Sequence, residues 1–290
     1  MDLERFIEKV QGLGLIAVMV TQHGELIARH NWDEDCRRNV YSASKSFTSA
    51  AVGIAQREGL LSIDEKLVDA FPDDLPDKVS PQLAAATVRD LLTMQLGHGR
   101  ALLMGADRPF IEEDDWIKLS LSEPFTDMPG TRFLYNNAGP YLAGILVQRR
   151  AGCDLVSYLE PRLFAPLGIK RPMWEQDPMG NTFGAGGLFL NVIELNKLGL
   201  LYLQDGRWNG RQLVPAEWVR ESSRVQADNG SYGYGYLFWM GEHGSFRADG
   251  KYCQWSIVLK DKDAVISVMA ECRKSEPLNR AVFDEIYTQL

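Results

Sequence analysis

Cysteine and histidine are scarce in this 290-residue chain, four of each. Cys36, Cys153, Cys253 and Cys272 contain no Cys-x-x-Cys pair, and His23, His30, His98 and His243 form no H-E-x-x-H motif. No metal site is therefore expected, and the thiols read as free groups in a reducing compartment rather than a disulfide framework. Long apolar runs are missing too. Leu13–Val20 is eight residues long, whereas a membrane helix needs about 20, so no membrane partner is expected. The first residues lack the form of a signal peptide: Asp2, Glu4 and Glu8 spoil a basic start, and no small-residue cleavage site follows. The expectation is a cytoplasmic protein, unless a leader has been removed. Basic residues are in the minority, 31 against 39 acidic ones, for a net charge of −8. Such a chain repels phosphate backbones, which argues against nucleic acid as a partner. Internal repeats and low-complexity linkers are absent as well.

What is present is ordinary globular composition, 45% hydrophobic and 24% charged, with enough length for one large domain or two lobes. Leu3, Phe6, Ile7 and Val10 share one face of a helix over 2–11. Residues 15–21 and 26–30 read as a strand pair turning at His23-Gly24. A small-residue helix follows and stops at Gly59. From about 62 to 190 the texture changes to helical patches (87–95, 112–120, 137–150, 154–163) broken by Pro and Gly. The acidic run 112–115 is expected to form a first helical turn. Helices over 192–204 and after Pro215 come next. Strands are expected at 232–240, 245–249, 252–260 and 264–271, then a last helix from Ser275. The fold class expected is α/β of the α+β type: an antiparallel sheet flanked by N- and C-terminal helices, with a mainly helical inserted lobe. Residues 1–63 and 191–290 would form the sheet domain and 64–190 the lobe.

Three segments carry chemistry-bearing side chains. In Tyr41–Ser49 (YSASKSFTS), Ser42 and Lys45 are three apart and share a helix face, while Ser44 and Lys45 point about 100° apart. Serine is a weak nucleophile until a base takes its proton, and a lysine whose pKa is lowered by burial can be that base. A helix cap followed by a solvent-facing lysine is the plainer reading. Ser44, Ser46 and Ser49 are assigned to packing and capping. In 129–144, Tyr135 and Asn137 sit two apart before a helix, where a phenol can relay a proton and an amide can orient a substrate. A buried tyrosine and a capping asparagine would look the same. In 246–259, Gly250 lies in or before a strand and can admit a ligand to the backbone or mark a bulge. His98, after a glycine in a loop, is a candidate for the lining of a cleft. Tyr232, Tyr234, Tyr236, Phe238 and Trp239 read as sheet packing, with a tyrosine or two at a cleft rim.

Serine-x-x-lysine, tyrosine-x-asparagine and a late glycine-bearing strand, in that order, resemble the penicillin-recognising serine hydrolases: class C β-lactamases, DD-peptidases and related esterases and amide hydrolases. Segments 87–99, 129–152, 158–174 and 184–219 carry the likeness across roughly 25–272. The resemblance implies a two-lobed fold of the class C β-lactamase type and no cofactor. It makes Ser42 the acylated nucleophile, gives Lys45 and Tyr135 the general-base work, and lets Asn137 orient lysine and substrate. The backbone N–H groups of Ser42 and of Lys251, beside Gly250, would bind the oxyanion. Gly186-Gly187 would be a tight turn lining the cleft, since no G-K-[ST] follows to make a phosphate loop. The family usually has K-T-G or H-x-G at the third motif, where this chain has Ala248-Asp249-Gly250. Losing that cation is expected to weaken recognition of a substrate carboxylate. A small neutral ester, lactone or amide is the expected substrate, with a β-lactam or D-Ala-D-Ala substrate as the alternative. A binding module that kept the fold without the catalysis is the reading from another class.

Overall fold

Strand Ala264–Ala270 is buried along its whole length, and its alternation sorts two cores. Ala264, Ile266, Val268 and Ala270 join Phe6, Val10, Leu278 and Ile286 in one apolar cluster. Val265 and Met269 point the other way, into the larger core, as the period of two along a strand requires. This strand is central in a six-stranded antiparallel sheet. Its order is Glu25–Asn31, Leu15–Gln22, Ala264–Ala270, Gln254–Leu259, Phe246–Gly250, Trp239–Met240. The computed structural model describes residues 1–290.

The terminal helices Glu4–Lys9 and Ser275–Ala281 lie on the first face. Helix Val192–Leu203 packs on the second, where a β-carbon at Gly199 would lie 2.4 Å from Ser256 Oγ. Helix Ser44–Arg57 runs behind the same face, with every residue from Ser44 to Ala55 buried. Its small side chains allow close approach: a β-carbon at Gly53 would lie 2.4 Å from the Trp218 ring. Between 64 and 190 the chain is mainly short helices. The longest, Ala138–Ala151, packs against Ser44–Arg57. Arg38–Asn39 pairs with Phe189–Leu190, tying the segment that leads into helix Ser44–Arg57 to the end of this stretch.

The sequence places most elements within a residue or two, with three differences. Only Trp239–Met240 of the expected strand 232–240 pairs in the sheet. Gly235 passes so close to the Ser222 carbonyl that a β-carbon would lie 2.0 Å from it. With that contact, 233–238 turns inward as an aromatic loop, while Tyr232 is exposed. The acidic run is not a helical turn: the helix is Trp116–Ser122, and Asp115 caps it by accepting the Lys118 N–H at 3.1 Å. Pro215 stands at the N-cap of Ala216–Ser222 rather than within its first turn. The His23-Gly24 turn is as expected, with both residues at positive φ. All four cysteines are unbridged, and no helix is long and apolar enough to cross a membrane.

Candidate active site

The short helical turn Tyr41–Ala43 precedes helix Ser44–Arg57, and it decides which serine is presented. Tyr41 adopts φ +46°, a left-handed conformation that costs a non-glycine residue free energy. Asn39 Oδ1 supports it by accepting the Tyr41 N–H at 2.7 Å. Ser44 turns back into the fold, donating to the Tyr41 carbonyl and accepting the Leu188 N–H at 3.1 Å. Ser46 donates to the Leu237 carbonyl at 2.9 Å, and Ser49 is buried. Ser42 alone of the four opens onto a cleft of about 680 Å³.

Lys45 lies beneath it, 1% exposed. Its Nζ is 2.9 Å from Ser42 Oγ and donates to the Ala185 carbonyl at 2.6 Å. Both partners are neutral oxygens. Burial drives the ammonium pKa well below its ordinary value, and the nearby Arg108 guanidinium lowers it further. Burial thus favours the neutral amine over the ammonium, and Nζ lies within hydrogen-bond reach of the serine hydroxyl. The Tyr135 ring sits 5.0 Å from the same Nζ and stacks on Trp239 at 5.3 Å. Burial pushes the Tyr135 phenol up, an effect partly offset by its contact with the Ser42 hydroxyl. The phenol is therefore neutral and able to donate a proton. Asn137 is fixed by its Nδ2, which donates to the Leu103 carbonyl at 2.9 Å, leaving a buried Oδ1 without a protein partner.

The third motif differs from its sequence reading. Ala248 is 1% exposed and belongs to the core. Arg247, Asp249 and Lys251 line the cleft instead. The cleft is not short of cations: Arg247 pairs with Asp249 at 2.8 Å, and Arg108 pairs with Glu175 at 3.1 Å on the wall from the helical lobe. Both guanidinium groups are thus paired with carboxylates of the cleft, and Lys251 is its remaining cation. Gly250 is buried against the backbone ahead of Ser42, where a β-carbon would lie 2.1 Å from the Val40 carbonyl oxygen. The next N–H, of Lys251, donates to no other group of the protein. Gly187 lines the cleft at φ +78°, and a β-carbon there would meet the Glu175 carboxylate at 2.4 Å.

Ser42, Tyr135, Asn137, Gly187, Asp249 and Lys251 thus line one cleft, with Lys45 and Gly250 just behind its surface. His98 is not among them. It is 1% exposed, bonded to Asn136 Nδ2 at 2.9 Å and packed edge-on against Phe125. Burial lowers its pKa to about 4, so it is a neutral core residue. Arg108, Glu175 and Trp239 are lining residues that sequence reasoning missed. Arg108 and Glu175 come from irregular segments with no periodicity to orient them. Trp239 could have been found, because it is opposite Arg247 in the sheet register and so on the Asp249 face.

Comparison with known proteins places the whole chain. A D-aminopeptidase of Brucella anthropi is 28% identical over 192 residues, covering 58% of this chain and 35% of that one. The chain spans about a third to three-fifths of the length of curated relatives it matches. Among solved structures, the octameric penicillin-binding protein homologue from Pyrococcus abyssi superposes with a TM-score of 0.79 at 18% identity, covering 100% of this chain and 78% of that one. EstCE1, a hydrolase with promiscuous acyltransferase activity, gives 0.77 at 13% identity, covering 98% and 99%. These likenesses establish the fold. The Beta-lactamase family profile matches residues 3–287, and the chain belongs to that family.

Proposed function

We propose that this protein is a cofactor-independent serine hydrolase that forms an acyl-enzyme on Ser42 from small ester or amide substrates. The observation that carries the reading is the buried Lys45 amine, with only neutral oxygen partners, 2.9 Å from Ser42 Oγ at the floor of the cleft. The amine takes the Ser42 proton as Oγ attacks the substrate carbonyl carbon. The backbone N–H groups of Ser42 and Lys251 bind the resulting oxyanion. The neutral Tyr135 phenol gives its proton to the departing alkoxide or amine and regains one from the Lys45 ammonium. Water then attacks the acyl-enzyme, the same groups act in reverse, and the acid leaves. A relative named a D-aminopeptidase and the structural neighbour EstCE1, a hydrolase with promiscuous acyltransferase activity, support this class of reaction.

A fluorophosphonate probe tests it. The expected result is one adduct, on Ser42, absent from Ser42→Ala. No adduct after long exposure would favour the binding module. Parallel assays with a p-nitrophenyl acyl ester and a chromogenic cephalosporin separate the substrate classes, and a far better rate on the cephalosporin would reverse the preference for esters and amides.

Tyr135→Phe is expected to lower kcat about 10²-fold while preserving the ring's stacking on Trp239. The loss should be larger for an anilide than for a p-nitrophenyl ester, because the poorer leaving group needs the proton more. Equal losses on both would remove the phenol from the proton path.

A further inference from the structure

The cleft face of strand Phe246–Gly250 carries an acid beside the proposed oxyanion site, on a wall that also presents aromatic rings. Asp249 lines the cleft with 23% of its side chain open. Its carboxylate is braced rather than used up. Arg247 Nε donates to Oδ2 at 2.8 Å, and the Trp255 indole faces the same group. Arg247 is itself held, with Nη1 donating to Asn279 Oδ1 at 3.0 Å and the guanidinium over the Trp255 ring at 4.9 Å. A carboxylate offers about four acceptor positions, so this one keeps capacity for a ligand. Trp239 and Tyr135, stacked on each other, line the same cleft. An aromatic face next to a carboxylate is the chemistry that recognises an organic ammonium.

We propose that Asp249, with the Trp239–Tyr135 stack, binds a protonated primary amine on the substrate. The inference rests on the serine-hydrolase reading only for where the scissile carbonyl lies. Asp249 lies in the strand and Lys251 one residue beyond its end, so the carboxylate is close to the proposed oxyanion site. The ammonium is assigned to the acyl part of the substrate, a few bonds from the carbonyl, as in an amino-acid amide or a short amino-terminal peptide. Burial raises the Asp249 pKa above the ordinary carboxylate value, and a bound cation offsets that cost. The other charged groups on the cleft are Arg108, Glu175, Arg247 and Lys251. Arg108 and Arg247 each have a carboxylate partner already.

The test compares alanine p-nitroanilide with its N-acetyl form, in both the D and L series, on the wild type, Asp249→Asn and Asp249→Glu. The wild type should favour the free amine at least tenfold in kcat/KM. Asp249→Asn should reduce that ratio at least tenfold, and Asp249→Glu should restore part of it. Preference for the N-acetyl form, or a ratio unmoved by Asp249→Asn, overturns the proposal. Calorimetry with n-butylammonium and n-butyrate reads the same site without turnover and works equally on Ser42→Ala. Butylammonium should bind the wild type and Ser42→Ala alike and Asp249→Asn at least tenfold more weakly. Equal binding to all three, or tighter binding of butyrate, overturns the proposal. Failure of fluorophosphonate labelling alongside Asp249-dependent amine binding would instead remove the hydrolase reading and leave the amine site.

Discussion

Ser42→Ala and Lys45→Met each lower kcat/KM on a p-nitrophenyl acyl ester by about 10³- to 10⁶-fold, and the double variant is no slower than the worse single one. In the proposed mechanism the two groups act as a single device, the Lys45 amine serving as base for the Ser42 hydroxyl 2.9 Å away. Removing either part removes the whole, which is why such losses do not add. Additive losses would mean that Lys45 acts on the reaction independently of Ser42. A wild-type rate kept by Lys45→Met would end its role as base.

Stability gives a second reading of the same lysine. An unfolded chain holds the lysine proton up to about pH 10.4, whereas the buried amine releases it well below that value. Between the lowered folded pKa and about 10.4 the unfolded state binds one more proton. Wild-type stability therefore rises with pH in that window, by at most about 1.4 kcal/mol per unit, and is lost as pH falls. Lys45→Met removes this slope. The melting temperature of the wild type minus that of Lys45→Met should climb from pH 7 to pH 9. A flat difference would mean that the folded protein carries a charged lysine, which cannot serve as base. Activity should rise with pH through the lowered pKa and then level off, so rate and stability report one ionisation.

Much of this was legible in the sequence where periodicity carried the information. The Ser42–Lys45 spacing gave a shared helix face, and the continuous apolar run Leu13–Val20 suited a strand buried on both faces. The Tyr135–Asn137 segment was readable because Pro and Gly bound it and a helix follows. In the third motif, alternation puts Ala248 on one face of the strand and Asp249 on the other but does not say which of them faces the cleft; burial decides it, with Ala248 in the core. The inward loop 233–238 was read as strand because its aromatics suit a sheet. What excludes it is a tertiary contact, the Gly235 backbone against Ser222, and no local signal reports that. Arg108 and Glu175 reach the cleft from irregular segments, so their position depends on how the lobe docks and not on their neighbours in sequence.

Gly250→Ala is the substitution expected to damage fold and catalysis together. Gly250 is not needed for an unusual φ, since it is not among the positive-φ glycines. Its requirement is space. An added methyl would lie 2.1 Å from the Val40 carbonyl oxygen and 3.0 Å from Gln254 Cβ. The first neighbour is backbone and cannot swing aside, so the strand and the segment leading into Tyr41 must separate. Overpacking of this kind costs about 2–3 kcal/mol. The same movement alters the distance between the N–H of Ser42, two residues after Val40, and that of Lys251, one after Gly250. A displacement near 1 Å at such a pair costs about 10²-fold in rate. The denaturation midpoint should fall at unchanged m-value, and the fluorophosphonate labelling rate of the folded variant, measured well below its melting temperature, should fall about 10²-fold. Labelling at the wild-type rate with reduced stability would show that the oxyanion site does not depend on this contact. Wild-type stability would show that the strand and the nucleophile segment do not meet at Gly250.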